Sequence, residues 1–99
     1  MIDLCSELIT NENDVLGIDV HNQQFKVLKK DGLTMFPNLS QLGLGYNNIE
    51  NINFGAFNGV EKITGLYLGG NNLSKIEDGA LDSLYRLRKL DLTDNPLER

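Results

Sequence analysis

Apolar and polar residues alternate along this chain in a pattern that repeats every 24 residues. Leucine occupies equivalent positions at Leu42, Leu66 and Leu90, and asparagine does so at Asn47, Asn71 and Asn95. A fixed period of this length predicts a stack of repeated units, each packed against the next. The pattern divides a single domain, 1–99, into an N-terminal cap at 1–14, repeats at 15–38, 39–62 and 63–86, and a truncated final repeat at 87–99.

Each repeat opens with a segment whose spacing predicts a short strand. Residues 39–44 read L-x-x-L-x-L, and this alternation is typical of a strand with one buried face. Equivalent strands in successive repeats would lie in parallel, about 4.8 Å apart. The asparagine three residues later lies where the chain must turn, and its amide both donates and accepts hydrogen bonds. We therefore expect the asparagines to join adjacent turns, where unpaired main-chain groups would cost roughly 1–3 kcal/mol per site.

The second half of each repeat has looser apolar spacing. Segments 53–59 and 77–83 contain glycines and predict short helical turns or irregular extended chain. Phe57 and its equivalents Leu33 and Leu81 are expected to pack against the core from this side. Each repeat then buries its apolar face only against its neighbours.

The segment Leu39–Ile49, LSQLGLGYNNI, and its copies at 63–73 and 87–97 resemble the leucine-rich repeat family. The resemblance extends from residue 15 to the end and is specific for the fold. It implies an α/β solenoid: a short right-handed coil with a parallel β-sheet on its concave side and an irregular or short helical convex side. The 24-residue period, with Phe57 and then Val60 on the convex side, looks like the typical class of secreted or cell-surface proteins such as Toll-type receptors and Slit-like proteins.

That resemblance also implies a function. Members bind proteins through the concave sheet, perform no catalysis and need no cofactor, so the chain is expected to be a protein-binding module and not an enzyme. A secreted or extracellular location and a role in immune recognition or interference follow from the same resemblance. The chain departs from the pattern at Gln23, which replaces the asparagine of the first repeat and predicts looser pairing there. It also has one cysteine, Cys5, in place of cysteine-rich caps.

Candidate binding residues are those between the apolar positions of each strand, because their side chains point to the exposed face of the sheet. Tyr46 and Tyr67 are the expected anchors, since tyrosine offers a large contact area and a hydrogen-bonding group. The glycines beside them predict a shallow face that a partner approaches closely. The remaining candidates are polar: Asp19, His21, Gln41, Arg88, Lys89 and Asp91.

Composition excludes several other classes of function. The formal net charge of −5 disfavours nucleic-acid binding, which needs a basic surface. No apolar run reaches the roughly 20 residues that span a bilayer, so we expect no membrane insertion. The single histidine, His21, has no companion suited to nucleophilic catalysis, and the acidic residues lack the spacing of a calcium loop, so no metal site is expected. Cys5 is either a buried apolar residue or the site of an intermolecular disulfide.

An alternative function is self-assembly. A further alternative is that the chain is a fragment of a longer receptor ectodomain. The truncated repeat would leave Leu87, Leu90, Leu92 and Leu97 as a final apolar layer with nothing to cover it. Uncovered apolar layers and open sheet edges promote association. The sequence therefore predicts a homodimer through the C-terminal edge as the rival of a simple binding module.

Overall fold

A computed structural model describes residues 16–24 and 26–97. Within these ranges the chain forms strands and turns but no helix: β1 (Gly17–Asp19), β2 (Val27–Leu28), β3 (Gln41–Gly43), β4 (Asn51–Ile52), β5 (Gly65–Tyr67) and β6 (Lys89–Asp91). Accordingly, the described part of the chain contains no helix that could span a bilayer. The predicted cap at 1–14 with Cys5, together with Val15, Phe25, Glu98 and Arg99, lies outside the described residues.

Four strands form one parallel sheet in the order β1-β3-β5-β6. Neighbouring strands pair residues that are one repeat apart, so that Ile18 lies opposite Leu42, Leu42 opposite Leu66, and Leu66 opposite Leu90. This register confirms that each repeat contributes one parallel strand to this sheet, but the first two repeats each contain a second strand, β2 or β4, that was not predicted. Because side chains alternate along a strand, one face of the sheet carries these apolar residues and the other carries the intervening positions.

The apolar face of the sheet packs against side chains from the second half of each repeat. Phe57 and Leu33 are fully buried, and Leu81, their equivalent, packs partly buried against the same core. These contacts confirm the expected role of this column. The sheet contributes further fully buried residues to the core: Leu42, Leu44, Leu66 and Leu68.

The side opposite the sheet is irregular. Residues 54–59 and 78–83 form turns and no helix, and main-chain hydrogen bonds such as that from Ala56 N–H to Asn53 O, at 2.9 Å, span three residues as in a single short helical turn. A second, two-stranded parallel sheet pairs β2 with β4 and places Leu28 opposite Ile52, both buried. The sequence did not predict these strands, because two residues are too few to show an alternating pattern. A parallel sheet with irregular returns is compatible with a leucine-rich-repeat solenoid.

The asparagine column joins the turns as predicted. Asn71, which is buried, accepts hydrogen bonds at Oδ1 from the main-chain N–H groups of Asn47 and Ile49, at 2.9 and 3.0 Å. Its Nδ2 donates to the carbonyl oxygens of Leu44 and Leu68, at 3.0 and 2.8 Å. Each amide therefore satisfies main-chain groups of its own repeat and of the repeat before it.

The same contacts recur one repeat earlier and one repeat later. The amide of Asn47 accepts from the N–H of Gln23 at 2.7 Å and donates to Val20 O at 2.8 Å. The amide of Asn95 accepts from the N–H of Leu73 at 3.0 Å and donates to Leu68 O at 2.9 Å. The column is thus a property of the repeat and not of one site.

Gln23 departs from this scheme in the way that its longer side chain suggests. Its Nε2 donates to the nearby His21 carbonyl, at 3.1 Å, and the residue is exposed. Its main-chain N–H is nevertheless held by Asn47. The first described turn is therefore secured by the repeat that follows it.

The last layer of the core is incompletely covered. Leu90 is 40% exposed, whereas Leu66, its partner in the sheet, is fully buried. The other apolar residues of this layer are only partly buried: Leu87, Leu92 and Leu97. Within the described part of the chain, strand β6 has a neighbouring strand on one side only.

Replacing Asn71 by alanine is expected to destabilise the fold by roughly 2–5 kcal/mol, because several buried main-chain groups lose their partners at once. Asn72→Ala is the matched control: this neighbouring residue is exposed, and its removal should change the free energy of unfolding by less than about 0.5 kcal/mol. Urea denaturation of both variants measures the difference. Equal losses would contradict the role assigned to the buried amide.

Candidate functional site

The polar face of the four-stranded sheet contains a hollow of about 510 Å³. Its position follows from the repeat, because every strand turns its apolar residues inward and leaves the alternate ones around this space. Six of the eight predicted binding residues line it: Asp19, His21, Gln41, Tyr46, Tyr67 and Asp91. Arg88 and Lys89 are not among the lining residues. The hollow is thus the feature that brings most of the candidates together.

Tyr67 is held in place by a chain of hydrogen bonds across the strands. Its hydroxyl donates to Gln41 Oε1 at 3.3 Å, and Gln41 Nε2 donates to Thr64 Oγ1 at 3.0 Å. Tyr67 is half-buried. A Cβ atom at Gly65 would collide with the Gln41 amide that the tyrosine contacts. The absent side chain of Gly65 therefore makes room for this chain of contacts.

Tyr46 is presented differently, at the turn that follows β3. Its backbone is left-handed, with φ of 57°, and its side chain is 64% exposed. The ring lies against Gly70, where a Cβ atom would overlap the ring carbons. The glycines were expected to leave this face shallow. At Gly65 and Gly70, however, the space is already occupied by the Gln41 side chain and the Tyr46 ring.

Asp19 and His21 lie at the β1 side of the hollow. His21 Nδ1 is 3.8 Å from Asp19 Oδ1, and both side chains are exposed. Such a surface pair contributes little to stability and forms an ion pair only when the histidine is protonated. The pair places hydrogen-bonding and charged side chains at one end of the hollow.

Asp91 lies at the β6 side, and its carboxylate is fixed by Thr93. The Thr93 hydroxyl donates to Asp91 Oδ1 at 2.7 Å and the Thr93 main-chain N–H donates to the same oxygen at 3.0 Å. These hydrogen bonds, helped by the nearby charge of Lys89, hold the pKa of Asp91 below its ordinary value. Asp91 therefore stays charged through the neutral and mildly acidic range.

Arg88 lies in a different part of the surface. It lines a separate hollow of about 470 Å³ with Thr64 and Leu87, next to Tyr85 and Arg86. The Arg86 guanidinium stands 5.5 Å from the centre of the Tyr85 ring, a cation–π contact. Six of the predicted site residues thus line the sheet-face hollow, Arg88 lines this second hollow, and Lys89 lines neither of the two.

A polar groove of about 640 Å³ lies beside the sheet-face hollow and was not predicted. Tyr46 lines both spaces. Most of its other lining groups are side-chain amides: Asn22, Gln24, Asn47, Asn48, Asn71 and Asn72. The signal was present in the paired asparagines after two of the strands, Asn47-Asn48 and Asn71-Asn72, whose second members are exposed.

Within 16–24 and 26–97, no three histidine, cysteine, aspartate or glutamate side chains are grouped to hold an ion. The lone cysteine of the sequence lies outside those ranges.

The repeat, the parallel sheet and the asparagine column together define a family. The leucine rich repeat family model matches residues 37–97, which is more than half of the chain. The chain therefore belongs to the leucine-rich repeat family. Domains of this family generally mediate protein–protein interaction and are typically not enzymes. No curated protein matches the chain.

Thr93→Val is expected to raise the pKa of Asp91 toward its ordinary value, because the hydroxyl donor is lost while the main-chain donor stays. A depressed folded-state pKa adds stability above the unfolded-state value, and that stability is lost as the pH falls through the folded-state value. The variant should therefore lose this contribution at a higher pH than the wild type. A carboxyl-carbon NMR titration measures the change, and an unchanged or lower pKa would contradict it.

Proposed function

We propose that this chain is a protein-binding module that holds a protein partner on the polar face of the β1-β3-β5-β6 sheet. The observation that carries the proposal is the hollow on that face, which gathers Tyr46, Tyr67 and Gln41 with acidic groups at both sides. Membership of a family whose domains generally bind proteins supports the same conclusion.

The two tyrosines are proposed to act as anchors of unequal kind. Tyr67 is already restrained by Gln41, so its side chain loses little conformational entropy when a partner packs on it. Tyr46 is exposed and shared between the hollow and the amide groove, so it offers contact area on two sides. Buried tyrosines are among the residues that contribute most to protein interfaces.

Charge indicates the chemistry of the partner. Asp19, Gly43, Tyr67 and Asp91 form one column across the four strands. Three strand spacings separate the two carboxylates by about 14 Å. A segment with an apolar centre and lysine or arginine at both ends fits this column, and the net charge of −5 favours the approach of a basic partner.

An extracellular location and an immune role are proposed as well. Both are supported by the resemblance to the typical class of leucine-rich repeats. Asn72 provides a test of location, since it begins the sequence Asn72-Leu73-Ser74 and is exposed. A glycan on Asn72 in the native protein would support passage through the secretory pathway. The other such sequence begins at Asn38, whose Oδ1 accepts a hydrogen bond from Lys62 Nζ at 2.8 Å. We expect an immune receptor or its ligand among the partners.

Self-association through the C-terminal edge is the second candidate function. Leu90 is 40% exposed, whereas Leu42 and Leu66, which align with it on β3 and β5, are fully buried, and this exposure favours self-association. Apolar surface of this kind is commonly covered by another protein surface.

Tyr46→Ala combined with Tyr67→Ala is expected to weaken the partner complex by about 30-fold or more, the loss of at least one dominant contact. The partner is first captured from extracellular fluid on the wild-type chain, identified by mass spectrometry, and then titrated against each variant by calorimetry.

Tyr85→Ala is the matched control. This tyrosine is 70% exposed but lies beside Arg86, outside the sheet-face hollow, so its removal should leave the affinity unchanged. Circular dichroism checks that each variant is folded. Equal affinity of the wild type and the double variant, or an equal loss in Tyr85→Ala, would place the binding surface elsewhere.

A further inference from the structure

Among the described residues β6 pairs with β5 alone, so its other edge exposes main-chain groups as well as an apolar side chain. The pairing with β5 uses the residues on either side of Leu90: the Lys89 N–H donates to Thr64 O at 3.0 Å, and Asp91 O accepts from the Leu68 N–H at 2.8 Å. Main-chain groups alternate from side to side along a strand, so the N–H and C=O of Leu90 face away from β5. This edge therefore has the hydrogen-bonding pattern that another strand requires.

We propose that a second copy of this chain binds this edge, with the two β6 strands antiparallel about a twofold axis at Leu90. The inference rests on self-association, the second candidate function, and specifies its geometry. The outward N–H and C=O of Leu90 would pair with the same groups of the second copy, as in a hydrogen-bonded antiparallel pair. The two exposed Leu90 side chains would then cover each other.

Charge selects this register over its neighbours. Centred on Leu90, the pairing places Lys89 opposite Asp91 of the second copy, and symmetry creates this opposite-charge pair twice. A register centred on Lys89 would place two lysines opposite each other, and one centred on Asp91 would do the same with two aspartates. Opposite charges across a strand pair stabilise it, and like charges destabilise it.

Charge also disfavours continuous stacking of copies. A parallel stack would place β1 of the next copy beside β6 and continue the register that relates Asp19, Gly43, Tyr67 and Asp91. Asp19 of one copy would then lie opposite Asp91 of the other, and Gly17 opposite Lys89. That arrangement offers one like-charge contact and no opposite-charge contact, so the edge favours a closed pair.

Charge reversal tests the pairing on the 99-residue chain. Sedimentation equilibrium over a range of concentrations should show a dimer of the 11.1 kDa chain. Lys89→Asp, or Asp91→Lys, is expected to raise the dimer dissociation constant roughly tenfold or more, because both symmetric pairs become repulsive. The double variant K89D/D91K restores opposite charges and should return the constant to within about threefold of the wild type.

Lys29→Asp is the control for the change in net charge, since Lys29 is exposed in the first repeat, and it should leave dimerisation unchanged. Asp91→Lys also removes the contacts with Thr93, so thermal melting accompanies every variant. If that variant unfolds, Lys89→Asp carries the test, because an unchanged dissociation constant in it overturns the charge-paired register.

The other outcomes distinguish self-association in general from the antiparallel pairing centred on Leu90. A monomer at every concentration overturns both self-association and the pairing. If the single charge reversals do not change the dimer dissociation constant, or if the double variant does not restore it, the proposed register is wrong. Self-association itself would still be supported. A mass that rises without a plateau overturns the twofold pair, because it indicates the parallel stack.

Discussion

The structure depends on how the main chain is satisfied at the bend after each strand of the large sheet. A chain that turns beside its own core buries N–H and C=O groups that no strand partner can reach. The amides of Asn47, Asn71 and Asn95 supply those partners, and each one reaches into the repeat before it. The leucines supply apolar burial, but the asparagines determine where the chain can turn. The 24-residue period is therefore a hydrogen-bonding constraint as much as an apolar one.

The polar face follows from that same constraint. Because the turn fixes the register of the strands, residues one repeat apart align in columns across the sheet. Gln41 thereby reaches Tyr67, and Tyr46 lies over Gly70. The candidate binding surface is thus assembled from positions that do not determine the fold, which is how one repeated scaffold can carry different recognition surfaces.

The sequence was sufficient to predict the strands of the large sheet, because Leu42, Leu66 and Leu90 recur at a constant spacing and the asparagines recur at the same spacing. It did not reveal β2 and β4, whose two residues carry no alternation. For the site, strand periodicity correctly placed Gln41 and Tyr67 on the polar face. It could not separate Arg88 from that group, because the residue lies just before β6, where side-chain direction depends on the turn. Assignment to the typical class, closure of the chain into a coil and the handedness of that coil stay predictions.

The direction of the asparagine contacts has a consequence for synthesis on the ribosome. The N–H of Asn47 finds its side-chain acceptor in Asn71, 24 residues nearer the C-terminus, and the N–H of Gln23 finds its acceptor in Asn47 at the same separation. A newly made turn is therefore left without these partners until the next one has emerged from the exit tunnel. At roughly 5–20 residues per second, this delay lasts about 1–5 s. During synthesis, each repeat therefore completes its turn hydrogen bonds only after the following repeat has been made.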